Sequence, residues 1–193
     1  MRIGILGSGL MGGKLGTIFA RAGHEVVFSY ARSAQKLVRL ARAARAGARA
    51  GSPHDAAQKA DALLLAVHWS RVDDVLSQAG DLAGKVVVSC SLPMNADDTA
   101  LAVAHTSSGA EELYAAKRKA NRPSLVYCGD DRTAKKVAVR LIRDVGFEPL
   151  DAGPLRIARY TEPFALLVPR LAYETKGGPQ VAYRFERYKK SGR

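Results

Sequence analysis

The amino terminus carries the pattern that most restricts how this chain can fold. A short apolar run, residues 2–6, leads into a glycine-rich turn, and apolar residues then recur at helical spacing up to Gly23. In such a strand–turn–helix unit the first glycine permits the turn, the second lets main-chain N–H groups approach a pyrophosphate, and the third lets helix and strand pack closely. The helix amino terminus then faces the negative charge. We therefore expect a bound dinucleotide, contacted by Gly7, Ser8, Gly9, Leu10, Met11 and Gly12.

The end of the next predicted strand, residues 25–30, indicates which dinucleotide binds. NAD-preferring sites place a carboxylate there against the ribose 2′-hydroxyl, but hydroxyls and cations follow this strand instead. These groups suit a 2′-phosphate, and cations at a helix start are unfavourable unless an anion binds nearby. The alternative is that the cations only face solvent. The pattern favours NADP(H) over NAD(H), with contacts from Ser29, Arg32, Ser33 and Lys36.

Strand and helix patterns alternate along the rest of the chain. Strands are predicted at 62–67, 85–90, 124–128 and 147–151, with intervening helices that begin at capping boxes, Ser52 with Asp55 and Ser70 with Asp73. This order predicts an α/β fold, a Rossmann-like doubly wound parallel sheet with a short carboxyl-terminal helical segment. We expect residues 1–153 to form the NADP(H)-binding domain. Residues 154–193 would form one or two helices, broken or kinked by prolines, packed on the sheet or on a partner subunit.

Other candidate contacts follow from where ligands lie in such sheets, outside the carboxyl ends of the strands. That rule brings Val67, His68, Trp69 and Ser91 towards the glycine turn. His68 would bond a phosphate or the nicotinamide ribose, whereas Trp69 either walls off the nicotinamide or merely covers the core. No catalytic residue is singled out, because hydride transfer between two ring systems depends on apposition more than on proton relay.

Composition and charge argue against several other functions. The 193 residues carry a formal charge of +12, but the basic residues between 32 and 49 spread around a helix without interleaved aromatics, so we expect no nucleic-acid partner. No run of about eighteen apolar residues could span a bilayer, and the start lacks a signal-peptide form. We expect a cytoplasmic protein without membrane association. Cys90 and Cys128 lie in apolar strands, as reduced thiols do, and the four histidines lack metal-ligand spacing.

The chain also resembles the NADP oxidoreductases that depend on the deazaflavin coenzyme F-420. The likeness covers nearly the whole chain, and its carboxyl-terminal motif, with Ala158-Arg159 and Glu162-Pro163 after it, is the most specific part. The resemblance implies an oxidoreductase, usually dimeric, that passes hydride between NADP(H) and the deazaflavin. It places cofactor contacts on Ser8, Gly9, Leu10, Met11, Arg32, Lys36, His68 and Ser91. The matching segments are Ile3-Gly4-Ile5-Leu6-Gly7-Ser8-Gly9, Ala22-Gly23-His24-Glu25-Val26-Val27, Leu65-Ala66-Val67-His68-Trp69 and Gly146-Phe147-Glu148-Pro149-Leu150-Asp151-Ala152-Gly153-Pro154-Leu155.

Two alternatives and one departure accompany this resemblance. Related sequences include the cytosolic domains of metalloreductases, which pass hydride to flavin, so a flavin is an alternative acceptor. A non-catalytic NADP(H) sensor, whose occupancy would alter a partner surface on the carboxyl-terminal helices, is a different class of function. The departure lies between Leu113 and Arg122, where the family has a strand ending in a Phe-Asn-Thr-like turn that this shorter connection lacks.

Overall fold

The structure, a computed structural model, describes residues 1–45, 47–91, 122–176 and 181–187. The short connection after Leu113 lies outside these residues. In chain order the elements are β1 (Arg2–Leu6), α1 (Leu10–Arg21), β2 (Glu25–Ser29), α2 (Ala34–Ala44), β3 (Arg49–Ala50), α3 (Pro53–Gln58), β4 (Ala62–Leu65), α4 (Val72–Ala79), β5 (Val86–Ser89), β6 (Ser124–Tyr127), α5 (Arg132–Asp144), β7 (Glu148–Asp151) and α6 (Ala158–Tyr173).

The strands form parallel sheets, as the alternation of elements predicted. Five strands pair in the order β3-β2-β1-β4-β5, with β1 at the centre and Ile3 opposite both Val26 and Ala62. Among the described residues β6 pairs only with β7, in a second, two-stranded parallel sheet. The two-residue strand β3 was not predicted, because it has too little apolar sequence to show a strand period. The Rossmann-like α/β class is confirmed.

Side chains of the central strands alternate between two apolar layers, as the pleat of a strand requires. Ile3 and Ile5 of β1 pack with α1, α2 and α5 on one face. Leu6 packs with α3 and α4 on the other face, and Leu63 and Leu65 of β4 join it there. Both faces of the sheet are therefore covered, which explains why these strands read as continuous apolar runs.

Helix starts follow the predicted caps except at α4. Ser52 and Asp55 form the expected reciprocal capping box, and the side chain of Asp131 accepts from the first turn of α5. The capping box predicted at Ser70 and Asp73 is wrong: residues Trp69–Arg71 form a 3-10 turn and α4 begins at Val72. The ring of His68 accepts the Ser70 N–H at 3.3 Å and caps this turn instead.

The carboxyl-terminal segment forms one helix, α6, after a 3-10 turn at Leu155–Ile157. Pro163 and Pro169, which were expected to break or kink the segment, both lie inside this helix. The chain that follows returns to β6, where the Ser124 N–H donates to the Tyr183 carbonyl at 2.9 Å. The aromatic ring of Tyr183 meets that of Phe164 edge-on, with centroids 4.8 Å apart. The helical segment expected from the sequence is confirmed, and residues 181–185 link its ring of Phe164 to β6.

Candidate cofactor site

A cavity of about 700 Å³ opens at the carboxyl ends of β1, β2 and β4. This is the edge at which ligands bind in doubly wound sheets, and the volume lies in the range of small-molecule sites. The glycine turn forms its floor, a pair of basic residues lies at the end of β2, and the segment after β4 closes the opposite side. The lining residues are Gly7, Ser8, Gly9, Leu10, Tyr30, Ala31, Arg32, Lys36, Ala66, Val67, His68, Ser70 and Arg71.

The three turn glycines differ in what a side chain would meet. Gly7 has φ +109°, which L side chains rarely adopt, and a Cβ there would lie 2.4 Å from the Ala66 carbonyl oxygen. A Cβ at Gly12 would lie 1.9 Å from the Gly7 carbonyl oxygen, so α1 packs directly on the turn. At Gly9 a Cβ would meet no described atom within 4 Å. The open space above Gly9, beside the amino terminus of α1, fits a pyrophosphate.

Two serines predicted as ligand contacts instead hold the turn against β2. The backbone N–H of Ser8 donates to the carbonyls of Ser29 and Tyr30, both at 3.0 Å, and its hydroxyl donates to Ser29 at 2.8 Å. The Ser29 hydroxyl donates to the Ile5 carbonyl at 2.7 Å, and the residue is fully buried. Ser29 therefore lies beneath the cavity rather than in it, while Ser8 both lines the cavity and joins two strands.

Positive charge collects where β2 meets α2. Arg32 and Lys36 both line the cavity, and within the described part of the chain neither forms an ion pair. Ser33 caps α2, its hydroxyl accepting the Lys36 N–H at 3.3 Å, and it is not among the lining residues. The two cations suit the 2′-phosphate predicted from the sequence.

Tyr30 lines the same cavity as these cations and is held there by Asp74. The Tyr30 phenol donates to a carboxylate oxygen of Asp74, and Gln78 donates to the other oxygen at 3.0 Å. These two hydrogen bonds, first that of Tyr30, hold the pKa of Asp74 below its usual value. Burial, followed by the bond to Asp74, raises the pKa of Tyr30. The pair therefore stays a phenol donating to a carboxylate near neutral pH.

The segment after β4 was only partly anticipated. Val67 and His68 line the cavity, but Trp69 is absent from the lining and packs against the core layer beneath α3 and α4. The structure places Trp69 in the covering role that the sequence left open. Because the Ser70 N–H points at Nδ1 of His68, that nitrogen is an acceptor and the neutral ring carries its proton on Nε2.

Ser91 and Met11 also lie outside the cavity lining. Ser91 is buried; its hydroxyl accepts the Val67 N–H at 3.2 Å and joins the ends of β4 and β5. Met11 packs against the core layer of α1. Both residues support the segments that form the cavity.

Sequence reasoning missed Arg71 and Ser70 as members of this site. Both lie in the 3-10 turn that was predicted as the start of a helix, and their positions depend on where α4 begins. A usable signal existed at Arg71, since a cation next to a helix amino terminus is unfavourable without an anion.

Other features of the structure bear on the remaining expectations. Both cysteines are free thiols, and burial raises the pKa of Cys90 to about 12, so that thiol is protonated. Within residues 1–45, 47–91, 122–176 and 181–187, no cluster of three or more His, Cys, Asp or Glu could hold a metal ion. Among the same residues, no helix has the length and apolar character needed to cross a bilayer.

Comparison with known proteins agrees with this geometry. Metalloreductase STEAP3 of Rattus norvegicus is 28% identical over 186 residues, which cover 86% of this chain and 36% of that protein. The chain thus spans about a third of the length of this curated relative. The crystal structure of a candidate F420-dependent NADP-reductase from Arthrobacter sp. FB24 superposes with a TM-score of 0.82 at 20% identity, covering 97% of this chain and 100% of the other.

A third comparison is with the reductive aminase from Aspergillus terreus, solved in complex with NADPH, cyclohexanone and allyl amine. It superposes with a TM-score of 0.62 at 18% identity, over 87% of this chain and 59% of that one. At these identities the two structural matches establish the fold only.

Fold and cavity together define the class: the chain has a Rossmann fold with a cavity at the sheet edge where dinucleotides bind. More particularly, residues 2–93 match the model of the family described as NADP oxidoreductase coenzyme F420-dependent. The resemblance inferred from the sequence is confirmed. The matched residues contain the glycine turn, β2 with its cations, and the segment after β4.

Proposed function

We propose that this protein transfers a hydride between NADP(H) and a tricyclic acceptor, the deazaflavin coenzyme F-420 or a flavin. One observation supports the proposal above the others: the glycine turn, the free end of α1 and the cations Arg32 and Lys36 line a single cavity. A pyrophosphate and a second, separate phosphate are the groups this arrangement suits, and NADP(H) carries both. The family match supports the acceptor class.

The lining residues would bind the dinucleotide in a single orientation. The N–H groups at the start of α1 would bind the pyrophosphate, and Arg32 with Lys36 would bind the 2′-phosphate. His68, on the other side of the turn after β4, would then donate from Nε2 towards the nicotinamide half, with Val67 against the ring. When bound, NADPH supplies a hydride, two electrons and one proton, to the acceptor, which takes a second proton from solvent.

Most cofactor contacts in this proposal come from the cavity lining, while Gly12, Ser29, Ser33, Met11, Trp69 and Ser91 support it from behind. We further propose that residues 1–153 form the cofactor-binding domain, that α6 in the 154–193 segment packs on the smaller sheet and on a second copy, and that the protein acts in the cytoplasm. Exposed apolar side chains on α6, such as Leu167 and Leu171, support the homodimer.

An acceptor panel tests this function directly. The protein is mixed with NADPH and with the F-420 deazaflavin, FMN or FAD, and the loss of nicotinamide absorbance is followed. We expect a rate proportional to protein concentration with at least one acceptor, and a slower rate with NADH. Tight NADPH binding without turnover on any acceptor would contradict the enzyme and leave the sensor as the function. Sedimentation equilibrium would test the dimer separately.

A further inference from the structure

The first turn of α4 reaches across to the end of β2. Tyr30, directly after β2, is bonded through its phenol to Asp74, two residues into α4. Arg71 immediately precedes α4 and lines the same cavity as Arg32 and Lys36. Its charge acts on both partners of the Tyr30–Asp74 pair. Although Arg71 follows β4 in the chain, its guanidinium therefore lies near the ribose end of the cavity.

The two faces of the sheet supply these cations from opposite sides. Arg32 precedes α2 and Lys36 lies in its first turn, and α2 packs on the face of α1, whereas Arg71 directly precedes α4, which packs on the other face. The space between them is at the end of β2, where the cofactor ribose lies in this fold. A phosphate placed there would be approached from two sides.

The charges at the end of the cavity next to β2 favour the binding of an anion. Arg71 occupies the N-cap position of α4 without a side-chain cap bond, where the helix dipole disfavours a cation. The Asp74 carboxylate is already engaged by Tyr30 and Gln78. Three cations, Arg32, Lys36 and Arg71, line the cavity, and none of its described lining residues is acidic.

Backbone strain at Tyr30 is a second, independent observation. Tyr30 has φ +55°, a left-handed conformation that is a genuine outlier for a bulky residue. Strained conformations persist where the surroundings over-determine them, commonly at ligand sites. Tyr30 lines the cavity together with Arg32 and Arg71, so the strained residue lies at the proposed phosphate position.

We propose that Arg71 binds the 2′-phosphate of NADP(H) from the side opposite Arg32 and Lys36 and is a determinant of the preference for NADP(H) over NAD(H). The proposal rests on the proposed function for the identity of the dinucleotide. It adds a specificity residue from the segment that precedes α4, whereas the sequence predicted such residues only in the segment that follows β2.

Calorimetric titration of the purified full chain with NADPH and with NADH tests this role. Arg71→Ala should weaken NADPH binding about tenfold, which corresponds to the loss of one charge-assisted contact, and should change NADH binding less than twofold. Arg71→Lys should fall between, because an ammonium keeps the charge without the planar fork. Arg21→Ala is the matched control: it removes the same charge at the far end of α1 and should alter neither affinity.

Titration with adenosine 2′,5′-bisphosphate and with 5′-AMP separates this inference from the proposed function. Arg71→Ala should weaken the bisphosphate and spare 5′-AMP, a result that holds even if no acceptor is ever turned over. Equal loss for NADPH and NADH would place Arg71 on the part that the two dinucleotides share and overturn the inference. An unchanged NADPH affinity would overturn it as well. Circular dichroism checks that each variant is folded.

Discussion

The two halves of the molecule hold their strands in different ways. In the amino-terminal half β1 and β4 are buried on both faces by helices, and two of the three turn glycines, Gly7 and Gly12, leave no room for a side chain. In the carboxyl-terminal half β6 and β7 are mostly half-exposed. A second, apolar cavity of about 500 Å³ lies between β5 and β6. The strands of the first half are secured by packing on both faces, whereas in the second half α5 joins the main core and β6 and β7 are packed less completely.

Two polar features of the second half show the contrast most clearly. The ring of His24, after α1, meets a carboxylate oxygen of Asp144 at the end of α5, 2.8 Å away, and so joins the two halves. Glu162 of α6 is fully buried, and neither of its carboxylate oxygens has a hydrogen-bond partner among the described residues. The amino-terminal half thus tolerates little change in volume, whereas the carboxyl-terminal half should respond to changes in charge and protonation.

The largest effect should come from adding one methyl group to the glycine turn. Gly12→Ala would place a Cβ 1.9 Å from the Gly7 carbonyl oxygen, a backbone atom that cannot move without displacing β1. We expect a loss of more than about 3 kcal/mol in the free energy of unfolding, measured by urea denaturation. In the matched variant Gly13→Ala the Cβ meets only the end of the Leu40 side chain, so stability should change little. Equal stability of the two variants would contradict the close packing of α1 on the turn.

The next largest effect should be on the affinity for NADPH, with the stability of the fold unchanged. Gly9→Ala adds a Cβ into open space, so the melting temperature should stay within about 2 °C of wild type, a stability change well under about 1 kcal/mol. The same Cβ lies where the pyrophosphate must approach, and NADPH affinity should fall roughly 30-fold, or about 2 kcal/mol. Calorimetric titration measures the affinity. Unchanged binding would show that the pyrophosphate does not lie above Gly9.

In the carboxyl-terminal half, Glu162 should make stability depend on pH. Burial raises the pKa of this carboxyl from 4.5 to about 7. The folded state therefore holds the proton more tightly than the unfolded state, and the stability that this provides is complete below about pH 4.5 and lost as pH rises towards about 7. Glu162→Gln removes the titration. The variant should match wild type at pH 4 and exceed it by about 1 to 2 kcal/mol at pH 8.

Urea denaturation at several pH values measures the free energy of unfolding of the wild type and of Glu162→Gln. Glu148→Gln, which changes an exposed carboxyl of β7, is the control. If the wild type and Glu162→Gln keep the same difference at every pH, the buried carboxyl is ionised in the folded state and the contrast between the halves fails at this position.

The smallest effect should be at the contact that joins the halves. Asp144→Ala leaves the buried ring of His24 without its Nε2 partner, and His24 Nδ1 already has no partner among the described residues. An unsatisfied buried group of this kind costs about 1 kcal/mol. Arg143→Ala, an exposed neighbour in the last turn of α5, should cost less. If Asp144→Ala also lowers the cooperativity of unfolding, the two halves unfold separately once the contact is lost.

Much of the fold was predictable because its signals are local. The glycine turn, the Ser52 capping box and the apolar stripes of α1 and α5 each act within one or two turns of chain, so the residues alone indicate the element. The short strand β3 and the 3-10 turn before α4 could not be predicted. The first is too short to show a period, and the second depends on the ring of His68 accepting an N–H from Ser70.

The same distinction between local and long-range signals applies to the residues of the candidate site. Arg32 and Lys36 were identified because they follow β2 directly, while Ser29 was placed in the site by its position and turned out to bond the Ile5 carbonyl beneath it. Whether a side chain at a strand end points to a ligand or to a neighbouring strand depends on the pairing of that strand, which the sequence does not contain. Arg71 was missed for the same reason.

By itself the sequence determined the class of fold and predicted a dinucleotide site with a preference for a second phosphate, since glycine turns, apolar periods and the charge that follows a strand are properties of adjacent residues. The tertiary structure alone decided that Trp69 covers the core, that Ser91 joins two strands, and that Arg71 lines the same cavity as Arg32 and Lys36. Those outcomes depend on contacts between residues far apart in the chain, where packing of the two faces of the sheet sets the geometry.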